Sequence, residues 1–109
     1  MDENVYVAEL LDCYRGLLTD KQADIMSLYY EEDLSLSEIT DHYSVTRQAV
    51  LDSIKRAVKQ LKAYESKLCL VRINAERNSR IDKILSLCEK ISDRAIADEI
   101  IEALKKLED

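Results

Sequence analysis

The stretch LSLSEITDHYSVTRQAVLDSIKR, residues 34–56, decides the fold of this chain. Ser35 is followed three residues later by Glu38, and this pair forms a capping box, the reciprocal side-chain pairing that begins a helix. Thr46 is a favourable N-cap residue, so a second helix is expected to begin at Arg47. The stretch therefore predicts a short capped helix, a turn of about three residues, and a longer capped helix that carries basic side chains.

Two capped helices joined by such a turn are typical of the helix-turn-helix motif, in which the second helix enters the major groove of DNA. The crossing of the two helices needs small or apolar side chains, which Ile39, Val45 and Ile54 supply. One position departs from the usual pattern, because Ser44 stands where the turn is left-handed and glycine is common. A side chain there costs about 1–2 kcal/mol, and we expect the motif to tolerate that cost.

The outward face of the second helix supplies the candidate DNA contacts. With Val50, Ile54 and Leu61 turned to the core, helical periodicity places polar and basic side chains on the opposite side. Arg47 and Gln48 lie in the first turn, where Arg suits guanine and Gln suits adenine through paired hydrogen bonds. The side chains expected to meet phosphates, which position the protein without reading sequence, are Lys55, Arg56, Lys59 and Lys62. The predicted DNA-binding residues are Thr46, Arg47, Gln48, Asp52, Lys55, Arg56 and Lys59.

The distribution of charge supports this choice of helix. The whole chain has a net charge of −6, but residues 47–67 alone have a net charge of +4. Residues 1–46 have a net charge of −9, and residues 68–109 have −1. Positive charge that is concentrated on one segment indicates where a nucleic acid would bind. The acidic N-terminal part would repel phosphate unless it faces away from the DNA.

The composition of the chain predicts an all-α fold. The 109 residues include no Pro, one Gly and 47% hydrophobic residues, whereas sheets and barrels need Gly and Pro at their turns. Caps and apolar spacing predict five or six helices, with a helix-turn-helix head in residues 1–66 and a helical packing or dimerisation tail in residues 67–109. The first helix is expected to end at a left-handed Gly16, and Ser92 is expected to cap the last helix.

Two resemblances to known families add to this interpretation. The sequence L-T-x-x-Q at residues 18–22, placed before a helix-turn-helix, resembles region 4 of bacterial sigma factors. The strings LLTDKQADIMSLYYEEDLSLSEI (17–39) and VTRQAVLDSIKRAVKQLKAYESKL (45–68) are more closely similar to the YlxM family of small bacterial helix-turn-helix proteins. The genes of that family usually neighbour those of the signal recognition particle GTPase and its receptor. The resemblance implies a cytoplasmic DNA-binding regulator tied to that pathway, with signal recognition particle components as candidate partners.

The apolar residues of the tail favour contact with a second copy of the chain. From Ile54 to Ala75 they recur three and four residues apart, which is the spacing of a coiled coil. A single helix from Arg47 to Ile91 would be about 67 Å long, so a break is expected near Ser66 or near residues 78–79. The stripe either packs on the last helix of the same chain or faces a second copy. We favour a homodimer, because helix-turn-helix domains commonly work as dimers.

No pattern in the sequence predicts catalysis, a metal or a cofactor, so an enzyme is not expected. His42 is the single histidine and has no evident catalytic partner, and residues 31–33 lack the spacing and Gly of a calcium loop. The cysteines are odd in number and widely separated, which favours free thiols in a reducing compartment. They are Cys13, Cys69 and Cys88. No run of 18 apolar residues exists, and the acidic N-terminus does not resemble a secretory signal, so a cytoplasmic protein without a membrane span is expected.

An alternative of a different class stays open on the sequence alone. The fold could serve as a protein–protein interaction module whose basic helix binds an acidic partner, without any binding of DNA. Salt-dependent binding of duplex DNA, compared with recovery of a protein partner, separates the two functions.

Overall fold

A computed structural model describes residues 2–107, and all regular structure in that range is helical. This confirms the all-α prediction, with six α-helices in the described range. They are α1 (Glu3–Tyr14), followed by a 3₁₀ turn (Arg15–Leu17), α2 (Asp20–Tyr30), α3 (Leu36–Tyr43), α4 (Arg47–Leu68), α5 (Leu70–Cys88) and α6 (Arg94–Lys105). None of these helices is long and apolar enough to cross a membrane.

The chain divides into two compact units. The first, here called the head unit, ends at Val71, and the second, the tail unit, begins at Arg72. The division lies inside α5, so the head unit contains α1 to α4 and the first two residues of α5. The predicted head, residues 1–66, lies wholly within the head unit.

The core of the head unit is built around α4, against which α1, α2 and α3 all pack. Its buried residues are Val7, Leu10, Leu11, Tyr14, Leu18, Ile25, Met26, Ile39, Val50, Ile54, Ala57 and Leu61. On α1, Val7 and Leu10 are buried in this core, whereas Val5 is 50% exposed. On α4 the expected core residues are buried at helical spacing, which leaves the opposite side of that helix open.

Side-chain caps fix the starts of the helices in the head unit. The Thr19 hydroxyl accepts a hydrogen bond from the Gln22 N–H at 3.2 Å, and the Ser35 hydroxyl accepts one from the Glu38 N–H at 3.1 Å. In both cases the side chain of the later residue reaches back to the cap, which completes the predicted capping box. Thr46 caps α4, as predicted, by accepting from the Ala49 N–H at 3.1 Å.

Two of the predicted helix ends are wrong. Gly16 is not left-handed, because it lies inside the 3₁₀ turn that the Leu18 N–H closes on the Arg15 carbonyl at 3.1 Å. The last helix is capped by Asp93 rather than by Ser92: one carboxylate oxygen of Asp93 accepts from the N–H groups of residues 95 and 96, at 3.1 and 3.2 Å. A carboxylate at a helix N-terminus also interacts favourably with the helix dipole, which explains why Asp93 is the better cap.

The long helix that the tail sequence suggested breaks at Cys69. Its backbone is left-handed (φ 56°, ψ 27°), and its N–H donates to the Glu65 carbonyl, so α4 ends at Leu68. The break lies three residues after Ser66, and α5 runs without interruption through residues 78–79. The predicted coiled-coil stripe from Ile54 to Ala75 is therefore wrong as a continuous feature, because a left-handed residue changes the direction of the helix axis.

A buried tyrosine holds the junction between α4 and α5. The Tyr14 hydroxyl donates to Glu65 Oε1 at 2.6 Å and accepts from the Leu70 N–H at 3.0 Å. The same Glu65 oxygen accepts from the Val71 N–H at 3.0 Å, so two N–H groups at the start of α5 are satisfied. Burial, reinforced by the hydrogen bond to the Glu65 carboxylate, raises the pKa of Tyr14 to about 12.

The tail unit buries few side chains. Its buried residues, among those that are described, are Ile81, Cys88, Ala97 and Leu104. At the connection between α5 and α6, the Arg94 guanidinium donates to the carbonyls of Cys88 and Ile91 at 3.4 and 3.3 Å. These bonds satisfy carbonyl groups at the end of α5, which a cation at a helix C-terminus commonly does.

Candidate nucleic-acid interface

The turn between α3 and α4 sets the direction of the candidate recognition helix. Ser44 takes the left-handed conformation (φ 54°, ψ 38°), and its N–H donates to the Thr40 carbonyl at 2.8 Å. Two residues later the Thr46 side chain caps α4, so α4 starts directly after the turn. The turn thus takes the left-handed geometry of a helix-turn-helix without glycine, as the sequence indicated.

The two sides of α4 differ in burial and in chemistry. Val50, Ile54, Ala57 and Leu61 are at most 5% exposed and face the core. The outward face, which carries the predicted DNA-binding residues, is exposed at every one of those positions. They are Thr46, Arg47, Gln48, Asp52, Lys55, Arg56 and Lys59. The structure therefore makes all seven side chains accessible, while contact with DNA stays a prediction.

Two polar side chains of the outward face are already paired with each other. Gln48 Nε2 donates to Asp52 Oδ1 at 2.8 Å, one turn further along α4. The bond leaves the Gln48 carbonyl oxygen and one amide hydrogen available, and these are the two groups that adenine pairs with. Asp52 therefore orients Gln48. This role explains why Asp52 lies on the outward face without requiring that Asp52 itself contacts a base.

The cations of the outward face have no carboxylate partner among residues 2–107. No ion pair within that range involves Arg47, Lys55, Arg56 or Lys59. Elsewhere in the head unit the Arg15 guanidinium pairs with the Glu31 carboxylate at 2.6 Å. That hydrogen bond raises the pKa of Arg15 and lowers the pKa of Glu31. The outward face of α4 therefore offers positive charge that the head unit does not neutralise.

Lys62 does not belong with these cations, although the sequence placed it among the phosphate contacts. Its ammonium group pairs with the Glu3 carboxylate at 2.7 Å, and both side chains are partly exposed. This bond joins α4 to the start of α1, so the charge of Lys62 is compensated within the head unit. A phosphate contact would have to replace this exposed ion pair, which is worth only about 0–1 kcal/mol, so contact of Lys62 with phosphate stays a prediction.

A cleft beside the outward face was not foreseen from the sequence. It has a volume of about 350 Å³ and lies between the start of α2 and the first turns of α4. The lining residues are Thr19, Lys21, Gln22, Ile25, Val45, Ala49, Val50, Ser53 and Arg56. Gln22 Nε2 donates to Gln60 Oε1 at 2.8 Å and joins α2 to α4. Lys21 is exposed and lies 5.7 Å from the centre of the Tyr43 ring, so it adds a cation from outside α4.

Lys21 could not be identified from sequence patterns, since only the packing of α2 against α4 brings it near Arg56. The single histidine, His42, is exposed on α3, with its ring 5.0 Å from that of Tyr43. No cluster of three or more metal-ligating side chains occurs in the part of the chain that the structure describes. The chemistry that the site offers is therefore hydrogen bonding and positive charge.

Comparison with known proteins identifies relatives over nearly the whole chain. Residues 1–108 match the model of the UPF0122 family, described as "Putative helix-turn-helix protein, YlxM / p13 like". The UPF0122 protein YlxM of Bacillus subtilis is 44% identical over 99 residues, covering 91% of this chain and 90% of its own length. A UPF0122 protein of Bacillus pumilus is 46% identical with the same coverage. Another from Clostridium acetobutylicum is 46% identical over 86% of this chain and 84% of its own length.

Proposed function

This chain belongs to the UPF0122 family of YlxM / p13-like helix-turn-helix proteins, and from that premise we propose that it is a regulatory protein that binds double-stranded DNA. The family is one of helix-turn-helix proteins and not of enzymes. The observation that carries the proposal is the outward face of α4, where Arg47, Lys55, Arg56 and Lys59 are exposed and have no ion-pair partner in residues 2–107. Exposed cations on one side of a capped helix are what phosphate binding requires.

Base recognition is assigned to the first turn of α4. Arg47 and Gln48 lie beside the turn at Ser44, and the first turn is the part of a recognition helix that contacts base edges. Gln48 is held by Asp52 at 2.8 Å, which reduces the conformational freedom that the amide would lose on binding adenine. Lys55, Arg56 and Lys59 follow on the same face and supply phosphate contacts that fix the position of the helix in the groove.

The biological setting of the proposal is the signal recognition particle pathway in the bacterial cytoplasm. The support is the similarity of residues 17–39 and 45–68 to the YlxM family, whose genes usually neighbour those of that pathway. We propose that the protein takes part in, or regulates, this pathway. Components of the signal recognition particle are then partners to test beside DNA.

Replacement of Arg47 and Gln48 by Ala tests base recognition. The preferred duplex is first selected from a random library with the parent protein, and affinities are then measured for that duplex and for unrelated DNA. Each lost bidentate contact is expected to cost about 1–3 kcal/mol on the preferred duplex and little on unrelated DNA. The melting temperature should be nearly unchanged, because Ala is at least as good a helix former as Arg or Gln.

Phosphate contact is tested by Lys55→Ala and Lys59→Ala, with Lys90→Ala as the matched control. Each of the first two variants is expected to weaken binding to all sequences alike and to lower the salt slope by about one. Lys90 is exposed in the tail unit, so its removal changes the net charge equally without touching the outward face. Equal effects at all three positions would contradict the assignment of these contacts to α4.

The same measurements separate this function from the alternative. If the parent protein binds no duplex even at low salt, the basic helix serves a protein partner instead. In that case Arg47→Ala/Gln48→Ala should abolish recovery of a specific protein from the cell, and signal recognition particle components are the first to examine.

A further inference from the structure

The tail unit is too small to be stable by itself. It begins at Arg72 and comprises 38 residues, and a chain segment below about 40 residues usually needs a disulfide, a metal or association with another surface. Cys88 is the single cysteine of the tail, so no disulfide can form within it. The described part of the tail contains no cluster of metal-ligating side chains. Association with another surface is therefore the remaining source of stability.

The surface available for association lies on α6. Ile96, Ile100 and Ala103 of α6, and Leu107 in the turn directly after it, follow one another at spacings of four, three and four residues, and we call them the α6 row. This is the spacing of a two-stranded coiled coil. Ile96 is 51% exposed and Leu107 is 54% exposed, so apolar side chains at both ends of the row meet solvent.

Helix α5 extends the apolar surface of the tail unit. Ile73, Ile84 and Leu87 are 47%, 40% and 51% exposed, and their spacings of eleven and three residues place them on one side of the helix. Exposed apolar side chains that are grouped on one face of a helix mark an interaction surface more often than singly scattered ones do. A dimer interface of standard size buries about 800 Å² on each partner around an apolar centre, and the α6 row with these three residues provides such a centre.

We propose that the α6 row binds the α6 row of a second copy of this chain in antiparallel orientation. Antiparallel pairing with Ile96 opposite Leu107 places Ile100 opposite Ala103, so each contact occurs twice around a two-fold axis. Glu99 and Lys106 both flank the row on the same side. In this pairing Glu99 of each copy comes next to Lys106 of the other, and such flanking charges set the orientation of a coiled coil.

The first test measures the mass of the full chain in solution by light scattering over a concentration series. The parent protein is expected to have twice the mass of one chain at micromolar concentration. Ile96→Glu should weaken the dimer more than about 100-fold, because two charges would be buried in an apolar contact. The matched control is Leu17→Glu, which places the same charge on a residue of similar exposure in the head unit, 54% against 51% for Ile96, and it should leave the dimer unchanged.

A second pair of variants tests the orientation without disturbing the apolar contact. Glu99→Lys and Lys106→Glu should each weaken the dimer about 3- to 10-fold at low salt, and the double exchange should restore the affinity to within about 2-fold. Far-ultraviolet circular dichroism monitors folding. If Ile96→Glu loses helix, Ile96→Ala replaces it, with an expected weakening of about 10-fold.

Three results would overturn the proposal. The parent protein could remain a monomer at about 100 μM, well above the micromolar range in which the dimer is expected, in which case the apolar surface does not bind a second copy. The Ile96 variants could keep the parent's affinity while Leu17→Glu dissolves the dimer, which would place the contact in the head unit. The double charge exchange could fail to restore what the single exchanges lose, which would exclude antiparallel α6 pairing.

Discussion

Ser44 shows how much of the recognition geometry rests on one residue. Three residues other than glycine have positive φ in the described chain, and they are Asp33, Ser44 and Cys69. Each ends a helix or a turn, and the single glycine of the sequence is not used at any of them. Sequence patterns can indicate the left-handed position at Ser44 because the surrounding motif has a fixed spacing. The same patterns wrongly predicted a left-handed conformation at Gly16. Glycine adopts that conformation freely, but this freedom does not show that the fold uses it.

Ser44→Gly is expected to stabilise the protein by about 0.5–1 kcal/mol. Glycine removes the strain of a left-handed side chain, and this gain exceeds the entropy that glycine loses on folding. The measurement is the free energy of unfolding in urea. Ser37→Gly is the control, because Ser37 is exposed in the right-handed first turn of α3, where glycine should destabilise by about 0.5 kcal/mol. The same sign for both substitutions would contradict the role given to the turn.

Helix starts and helix ends differ in how well they can be predicted for this chain. Ser35 and Thr46 cap their helices as predicted, because a cap depends on residues three positions apart, although Asp93 caps the last helix one residue after the predicted Ser92. The end of α4 at Leu68 depends instead on Tyr14, which lies 51 residues before Glu65 in the sequence. No local pattern contains that contact. The length of the helix required a break, but the sequence could not decide between Ser66 and residues 78–79, and the structure places the break close to the first.

Tyr14→Phe is expected to destabilise the protein by about 1–3 kcal/mol. The substitution keeps the ring but leaves Glu65 and the Leu70 N–H without the hydroxyl that now bonds to both. Thermal and urea unfolding measure the loss. Tyr64→Phe is the matched control, since the Tyr64 hydroxyl reaches the Leu17 carbonyl only at 3.4 Å in an exposed contact, and it should cost less than about 0.5 kcal/mol. Equal losses would show that the junction is not held by Tyr14.

Over the whole molecule, the periodicity of apolar residues predicts which helix faces are exposed better than it predicts which residues contact one another. The exposed outward face of α4 followed from the spacing of Val50, Ile54 and Leu61 alone. The pairing of Lys62 with Glu3 joins residues 59 positions apart, and a one-dimensional pattern cannot show it. The division of the chain at Val71 likewise depends on which side chains meet in space, whereas the apolar spacing continues across it.

The head and tail units are expected to differ in local stability. At protein concentrations low enough for the proposed dimer to dissociate, amide hydrogen exchange should be slower around Ile54 in α4 than around Ile100 in α6. The reason is that α4 contributes Val50, Ile54, Ala57 and Leu61 to a shared core, whereas few side chains of the tail unit are buried. Raising the concentration is expected to slow exchange in α6 and leave α4 unchanged. Equal protection of both helices in the dilute monomer would contradict this difference.

The unpaired cations of α4 also govern how a polyanion can approach the head unit. Helices α1 to α3 pack on the inner side of α4, and residues 1–46 have a net charge of −9. A polyanion that arrives from that side meets a repulsive field, and one that arrives at the outward face meets an attractive field. At physiological ionic strength each field extends only about 8 Å. A polyanion that approaches the acidic side is therefore repelled before contact. The encounter rate then depends on the direction of approach as well as on the strength of the attraction.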